Sequence, residues 1–312
     1  MNKKIIITGS CGFLMGNFLR KAIYEKQPYQ FTSIDRVNDN AANSVYWNKS
    51  HTFHIADIRD QHIVDTLFQF DPPDVVIHAA SESENESNSF ITSNVLGTQV
   101  IINACLKHKV KKLIYISTDK VYGQLNSETD ASWTEDTLLN PRNAYAVTKA
   151  AGEQLVKSAC ELQGLTYNII RLSNSYGPRQ SLNKLVPKTI KSIIKEEKIS
   201  VYDQGLQIRD WTHVFDACAG IINILNNGKD NEIYNLSSGQ EFSNIEVVQK
   251  ICNAMNKGHN LINFVEVGRP QDFRYAMNTS KIKELGWKPE YKFKDGIVDC
   301  INWFIANKWI LK

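Results

Sequence analysis

Two hydrophobic rhythms alternate along the first half of the chain. Short continuous apolar runs (Ile5-Ile6-Ile7, Val75-Val76-Ile77, Leu113-Ile114-Tyr115-Ile116) recur between longer stretches in which apolar positions return every three or four residues. A continuous short run suits a strand buried on both faces, and the longer spacing suits a helix that buries one face. This predicts strands over residues 5–8, 31–35, 52–55, 74–78, 112–117 and 167–172, and helices over 13–25, 60–70, 89–108 and 144–162. Such alternation builds a parallel sheet with helices on both faces, and right-handed crossovers favour a doubly wound order.

The pattern loosens after Leu172. Loop residues crowd Ser173-Asn174-Ser175-Tyr176-Gly177-Pro178, and helices are predicted over 186–196, 214–226, 244–255 and 294–306. The expected class is α/β. A first domain covers 1–172 and a smaller, mixed domain covers 173–312, with a discontinuous boundary at which segments around 208–237 return to the first.

Composition mainly excludes. The 312 residues carry 36 Lys plus Arg against 33 Asp plus Glu, a net charge of +3, which argues against nucleic acid or an acidic membrane as the main partner. Cysteines 11, 105, 160, 218, 252 and 300 form no close pair, so neither a disulfide framework nor a metal centre is expected. Lys3-Lys4 is followed by only three isoleucines, too few for a secretory leader, and the expected location is cytoplasmic.

Chemistry enters with the turn after the first strand. Thr8-Gly9-Ser10-Cys11-Gly12-Phe13-Leu14-Met15-Gly16 is a glycine turn opening a helix, where free N–H groups and the helix dipole suit the diphosphate of a dinucleotide. A third glycine would fall at Met15, so the helix is expected to start slightly displaced or Met15 to fill a gap. Asp35 ends the second strand, placed to accept from ribose hydroxyls and to repel a 2′-phosphate; this favours NAD over NADP, although Arg36 is adjacent. Asp57-Ile58 stands near the adenine in this reading, or Asp57 caps a helix. Ala79 and Ala80 leave room for a cofactor, and His78 reads as a packed strand residue.

Tyr145-Ala146-Val147-Thr148-Lys149 places a phenol and an ammonium one helical turn apart. A cation at about 4 Å, at an effective dielectric of about 20, contributes roughly 4 kcal/mol and is expected to bring a tyrosinate within reach. Ser117-Thr118-Asp119-Lys120-Val121-Tyr122-Gly123 ends the fifth strand, with an acid and a base side by side.

Together these residues resemble the extended short-chain dehydrogenase/reductase family with its Rossmann-type NAD domain, and within it the nucleotide-sugar 4,6-dehydratases. Asn94-Val95-Leu96-Gly97-Thr98, Ser173 to Pro178, the 207–214 segment and the 268–275 segment with Arg269 and Arg274 carry the likeness further. The resemblance implies Thr118, Asp119, Lys120, Tyr145 and Lys149 as catalytic residues. It implies NAD held by Gly9, Gly12, Phe13, Leu14, Asp35, Asp57, Ile58, Ala79, Ala80, Asn94, Tyr145 and Lys149. For the nucleotide sugar it implies Ser81, Asn174, Lys184, Leu185, Tyr202, Arg209, Arg269 and Asp272. The dTDP-glucose dehydratases carry Asp-Glu at 119–120. Asp119-Lys120 resembles instead the enzymes that dehydrate UDP-N-acetylglucosamine and invert C5, and that activity is the expectation. The alternatives are a C5-retaining UDP-glucose or dTDP-glucose dehydratase, then a 4-epimerase. The helices over 89–108 and 144–162 are apolar on several sides (Ile91, Val95, Ile101, Ile102, Cys105), as a homodimer bundle or simple core burial requires.

Overall fold

The computed structural model describes residues 2–36, 48–83, 89–266, 268 and 271–311. Its first half forms β1 (Lys3–Thr8), α1 (Phe13–Tyr24), β2 (Tyr29–Asp35), β3 (His51–Ile55), α2 (Gln61–Phe70) and β4 (Val75–His78). A long helix, α3 (Ser89–Lys107), then precedes β5 (Lys112–Thr118), α4 (Ala144–Gln163) and β6 (Tyr167–Leu172). The observed strands and helices agree with the expected ones to within two residues at each end. Asp60, not Asp57, caps α2: its Oδ1 accepts from Ile63 N at 3.0 Å. Asp57 instead pairs with Arg59, Oδ2 to Nη2, at 2.6 Å.

The second half adds β7 (Asn174–Tyr176), α5 (Leu185–Lys195), β8 (Ile199–Tyr202), β9 (Ile208–His213), α6 (Val214–Asn227) and β10 (Glu232–Leu236). It ends with β11 (Glu241–Ser243), α7 (Asn244–Ala254), β12 (Ile262–Val265), α8 (Ser280–Glu284) and α9 (Phe293–Ala306). The main sheet is all parallel with strand order β10-β6-β5-β4-β1-β2-β3. Order reverses between β1 and β4, and that crevice is where open α/β sheets bind ligands.

Strand alternation divides the core. Ile5 and Ile7 face one side with Phe18, Ile221 and Trp287, while Ile6 faces the other with Ile34, Val76 and Ile101. The first side is covered by α1 and α6, so α6 and β10 join the first body. The neighbouring β9 stays in the second, between β7 and β11. A separate core of Tyr176, Ile190, Trp211, Val247 and Phe304 fills that second body. Met15 is buried in the first core, and Gly16 N bonds Gly12 O at 2.9 Å, so α1 keeps its helical bonding without a third glycine.

The helix α3 has the length and apolarity of a membrane span, but half of that stretch is buried inside the protein. It contains a π-helical turn, Thr92–Leu96, which carries Asn94. Where α4 crosses β5, Gly152 gives way to Tyr115: a Cβ there would lie 2.1 Å from the Tyr115 hydroxyl. Gly152→Ala is expected to cost about 1–3 kcal/mol through overpacking, read as a lowered Tm.

Candidate active site

A cleft of about 1040 Å³ opens at the carboxyl ends of β1, β4 and β5 and reaches the second body. Gly9 (φ +73°) sits at its floor, where a Cβ would lie 2.7 Å from Ala80 N; only glycine combines that φ with that approach. Gly12 caps α1 without a side-chain bond, so the first-turn N–H groups of Phe13, Leu14 and Met15 reach the cleft wall unclaimed by a cap. Asp35 Oδ2 accepts from Cys11 N at 2.7 Å and braces the turn, and burial raises its pKa. Ile58, Ala79 and Ala80 line the same groove. Across the groove mouth Arg36 reaches both Asp57 (3.8 Å) and Glu82 (3.9 Å).

An apolar, small-residue groove leading to a cluster of backbone donors fits a dinucleotide. Asn94 is not on the wall. It buries itself behind Glu82, donating to the Glu82 carbonyl at 3.0 Å and to Thr148 Oγ1 at 3.0 Å, and so shapes the loop that carries Ser81. His78 is fully buried, with Thr8 Oγ1 at 2.6 Å and Thr98 Oγ1 at 3.0 Å on its two ring nitrogens.

Tyr145, in the first turn of α4, lies on the wall opposite Thr118 and Lys120. Asn143 starts this helix by accepting from Ala146 N at 2.9 Å. Burial pushes the Tyr145 phenol up to about 12, helped by the charge of Asp119, while a hydrogen bond with Ser81 pulls the other way. The expected lowering by Lys149 is not seen. Its ammonium lies over the Tyr115 ring, 4.1 Å from the centroid, and burial brings its own pKa down to about 7. Burial therefore dominates the phenol's ionisation, and an ammonium near 7 is only partly charged at neutral pH.

Thr118 Oγ1 donates to Asp119 Oδ1 at 3.1 Å and accepts from Lys120 N at 3.4 Å, folding 118–120 into a tight turn. Burial drives the neighbours in opposite directions: Asp119 rises to about 6 and Lys120 falls. Lys120 Nζ stands 5.7 Å from the Tyr145 ring centroid and lines the cleft; Asp119 sits just behind the wall. An acid whose pKa is raised and an amine whose pKa is lowered, near one phenol, can move protons to and from adjacent carbons of one substrate.

Asn174, Lys184, Leu185 and Arg209 line the far end of the cleft. Arg209 is held over Tyr275 (4.1 Å) and donates to the carbonyls of Ile208, Phe273 and Asp272 at 2.7, 3.1 and 2.7 Å. Two predicted substrate residues stand off the wall. Tyr202 is half-exposed beneath Lys188 at 5.5 Å, and Asp272 pairs with Arg142 at 2.9 Å and accepts from the Tyr275 hydroxyl. Arg269 lies outside the described residues. Arg274 pairs with Glu241 at 2.6 Å and is spent on that contact.

Sequence reasoning missed Ser175, Gln180, Trp211 and Asn244 on the wall. The first three fall in or beside segments already singled out; Asn244, at the start of α7, gave no signal. Among the described residues no group of side chains is arranged to hold a metal ion.

Residues 5–237 match the NAD dependent epimerase/dehydratase family. The chain is 36% identical to the low-salt glycan biosynthesis protein Agl12 of Haloferax volcanii, covering 97% of this chain and 99% of that one. It is 31% identical to dTDP-glucose 4,6-dehydratase of Streptomyces niveus, covering 98% and 94%. The crystal structure of dTDP-glucose 4,6-dehydratase from Bacillus anthracis in complex with NAD superposes with a TM-score of 0.93 at 30% identity, covering 99% and 100%. On these likenesses the chain belongs to the NAD dependent epimerase/dehydratase family, among its NAD-dependent nucleotide-sugar 4,6-dehydratases.

Proposed function

We propose that the protein converts a nucleoside-diphosphate hexose to its 4-keto-6-deoxy form, with Lys120 as the base at C5 and Asp119 as the acid at the C6 oxygen. The observation that carries this is the turn 118–120 opposite Tyr145, where burial leaves the acid raised and the amine lowered. NAD, held by the Gly9–Leu14 turn and Asp35, supplies a hydride acceptor that returns the same hydride later in the cycle. Tyr145 takes the proton from the sugar O4, and Thr118 orients that hydroxyl. A ketone at C4 acidifies the C5 hydrogen, which Lys120, when neutral, removes. Asp119, when protonated, gives its proton to the departing C6 hydroxyl and water leaves; the C5–C6 double bond would then take the returning hydride at C6 and a proton at C5 from the Lys120 ammonium.

Two supports bear on the sugar. The relatives that align end to end weigh for a dTDP-glucose-type substrate; that substrate, with C5 retained, is the first reading. The Asp119-Lys120 pair weighs for UDP-N-acetylglucosamine with inversion, the second. Incubation of each sugar in D₂O, followed by NMR, separates them: deuterium at C5 with D-configuration from dTDP-glucose supports the first. An L-arabino product from UDP-N-acetylglucosamine supports the second, and a C4-epimerised 6-hydroxy sugar would sink the dehydratase.

Lys120→Met is expected to lower dehydration by about 10²–10⁴-fold while reduced cofactor still accumulates, because the step at O4 does not need this amine. Deuterium entering C5 at the wild-type rate would remove Lys120 from the mechanism. Exposed Ile91 and Leu96 on α3 and Val147 on α4 support pairing of two copies through these helices, which sedimentation equilibrium measures.

A further inference from the structure

Behind the cleft lies a charge cluster that the proposed chemistry does not use. Glu153 is fully buried on α4, one turn beyond Lys149 and two beyond Tyr145, so the three share a helix face. Its carboxylate accepts from Arg171 Nη2 at 2.8 Å and from Nε at 3.2 Å, and from Ser117 Oγ at 2.5 Å. Arg171, on β6, is equally buried, and its Nη1 donates to the Tyr122 hydroxyl at 2.7 Å. One carboxylate thus ties the helix of Tyr145 to the ends of β5 and β6, beside Thr118.

Holding these elements together does not by itself call for charge. A well-packed apolar pair of similar volume often does as well as a buried ion pair, so the charge is kept for another reason or for none. The surroundings of Lys149 supply the reason. From β5 the Tyr115 ring lies under the ammonium, and burial keeps that phenol well above its usual range. From β4 comes His78, neutral because burial lowers it to about 3. On α4 itself burial likewise raises the Tyr145 phenol. The face of the Tyr115 ring attracts the ammonium, but of these groups only the carboxylate of Glu153 sets a full opposite charge against the loss of charge on burial.

We propose that Glu153 is a positioning residue for Lys149: fixed by Arg171 and Ser117, it supplies the counter-charge that keeps a buried ammonium on the helix face shared with Tyr145. The inference rests on the reading of Tyr145 and Lys149 given above. An ammonium must be charged to favour the Tyr145 phenolate, so activity falls as pH rises through the Lys149 pKa, and loss of Glu153 moves that fall to lower pH.

The test removes both charges at once, Glu153→Met with Arg171→Met, so that neither is left buried alone. In ¹⁵N-lysine NMR titrations of the NAD-loaded protein, the Lys149 resonance is assigned by its loss in Lys149→Met. Its ionisation is expected to fall by about one pH unit in the double variant. The alkaline limb of kcat is expected to move with it, with KM within about twofold. An unchanged Lys149 ionisation in the folded variant overturns the proposal. If the Met pair does not fold, Glu153→Gln with Arg171→Gln keeps the shape and is read the same way. A wild-type protein that turns over no nucleotide sugar, yet shows the NMR shift, would defeat the proposed function and leave this inference standing.

Discussion

Tyr145→Phe is expected to lower kcat by about 10²–10⁴-fold, the usual range for a positioned proton-transfer group, with KM little changed. The substitution removes only the hydroxyl. The ring keeps its contact with Phe90 (6.5 Å between centroids) and its burial against α3, so the fold is expected to persist. What is lost is the acceptor for the O4 proton. No reduced cofactor is then expected on mixing with sugar, in contrast to Lys120→Met, where it accumulates. Stopped-flow absorbance of the reduced cofactor reads the difference. A fall smaller than about tenfold would place the proton on another group.

Asp119→Asn is expected to abolish most dehydration and, at the same time, to stabilise the protein above neutral pH. Burial raises the Asp119 pKa from 3.8 to about 6. The folded state therefore holds a proton that the unfolded chain has already lost, and stability falls as pH rises from 3.8 through about 6. About two pKa units correspond to roughly 3 kcal/mol, an order-of-magnitude figure, of which the neutral amide is relieved at pH 8. Activity follows a different curve. The acid must be protonated while Lys120 is neutral, so the Asp119 ionisation contributes one flank of the wild-type rate profile, near 6. The variant is expected to lose that flank along with most of its rate. Thermal melts at pH 5 and pH 8 check the first half: a Tm at pH 8 no higher than wild type would mean that Asp119 is not strained by burial.

The long elements and the glycine turn were legible because they depend on local backbone rules. Ile5 to Thr8, Val75 to His78 and Lys112 to Ser117 read as strands from continuous apolar runs, and the turn at Gly9–Gly12 could be placed from the strand before it and the helix after it. The short strands β7 to β12 escaped notice. They lack the continuous apolar runs of β1, β4 and β5, as in Ile208-Arg209-Asp210-Trp211-Thr212-His213 of β9, and β10 lies more than fifty residues from β6, its neighbour in the sheet. Of the proposed site, Tyr145 and Lys149 could be named from spacing, and Thr118 and Lys120 from their place at the end of the fifth strand and the resemblance it completes. Arg274 could not be told from a phosphate ligand, because its partner Glu241 is 33 residues away.

The sequence alone determined the alternation of strand and helix, the glycine turn proposed to hold the dinucleotide and the phenol–ammonium spacing, since each depends on residues within a few positions of one another. Tertiary structure decided the electrostatics. Asp119 and Lys120 are adjacent in the chain, yet only burial by both bodies makes one a stronger proton holder and the other a weaker one. Likewise Lys149 keeps a counter-charge because β5 and β6 deliver Ser117 and Arg171 to Glu153. Desolvation and Coulomb fields act through space and sum over sequence-distant neighbours, and no local pattern encodes that sum.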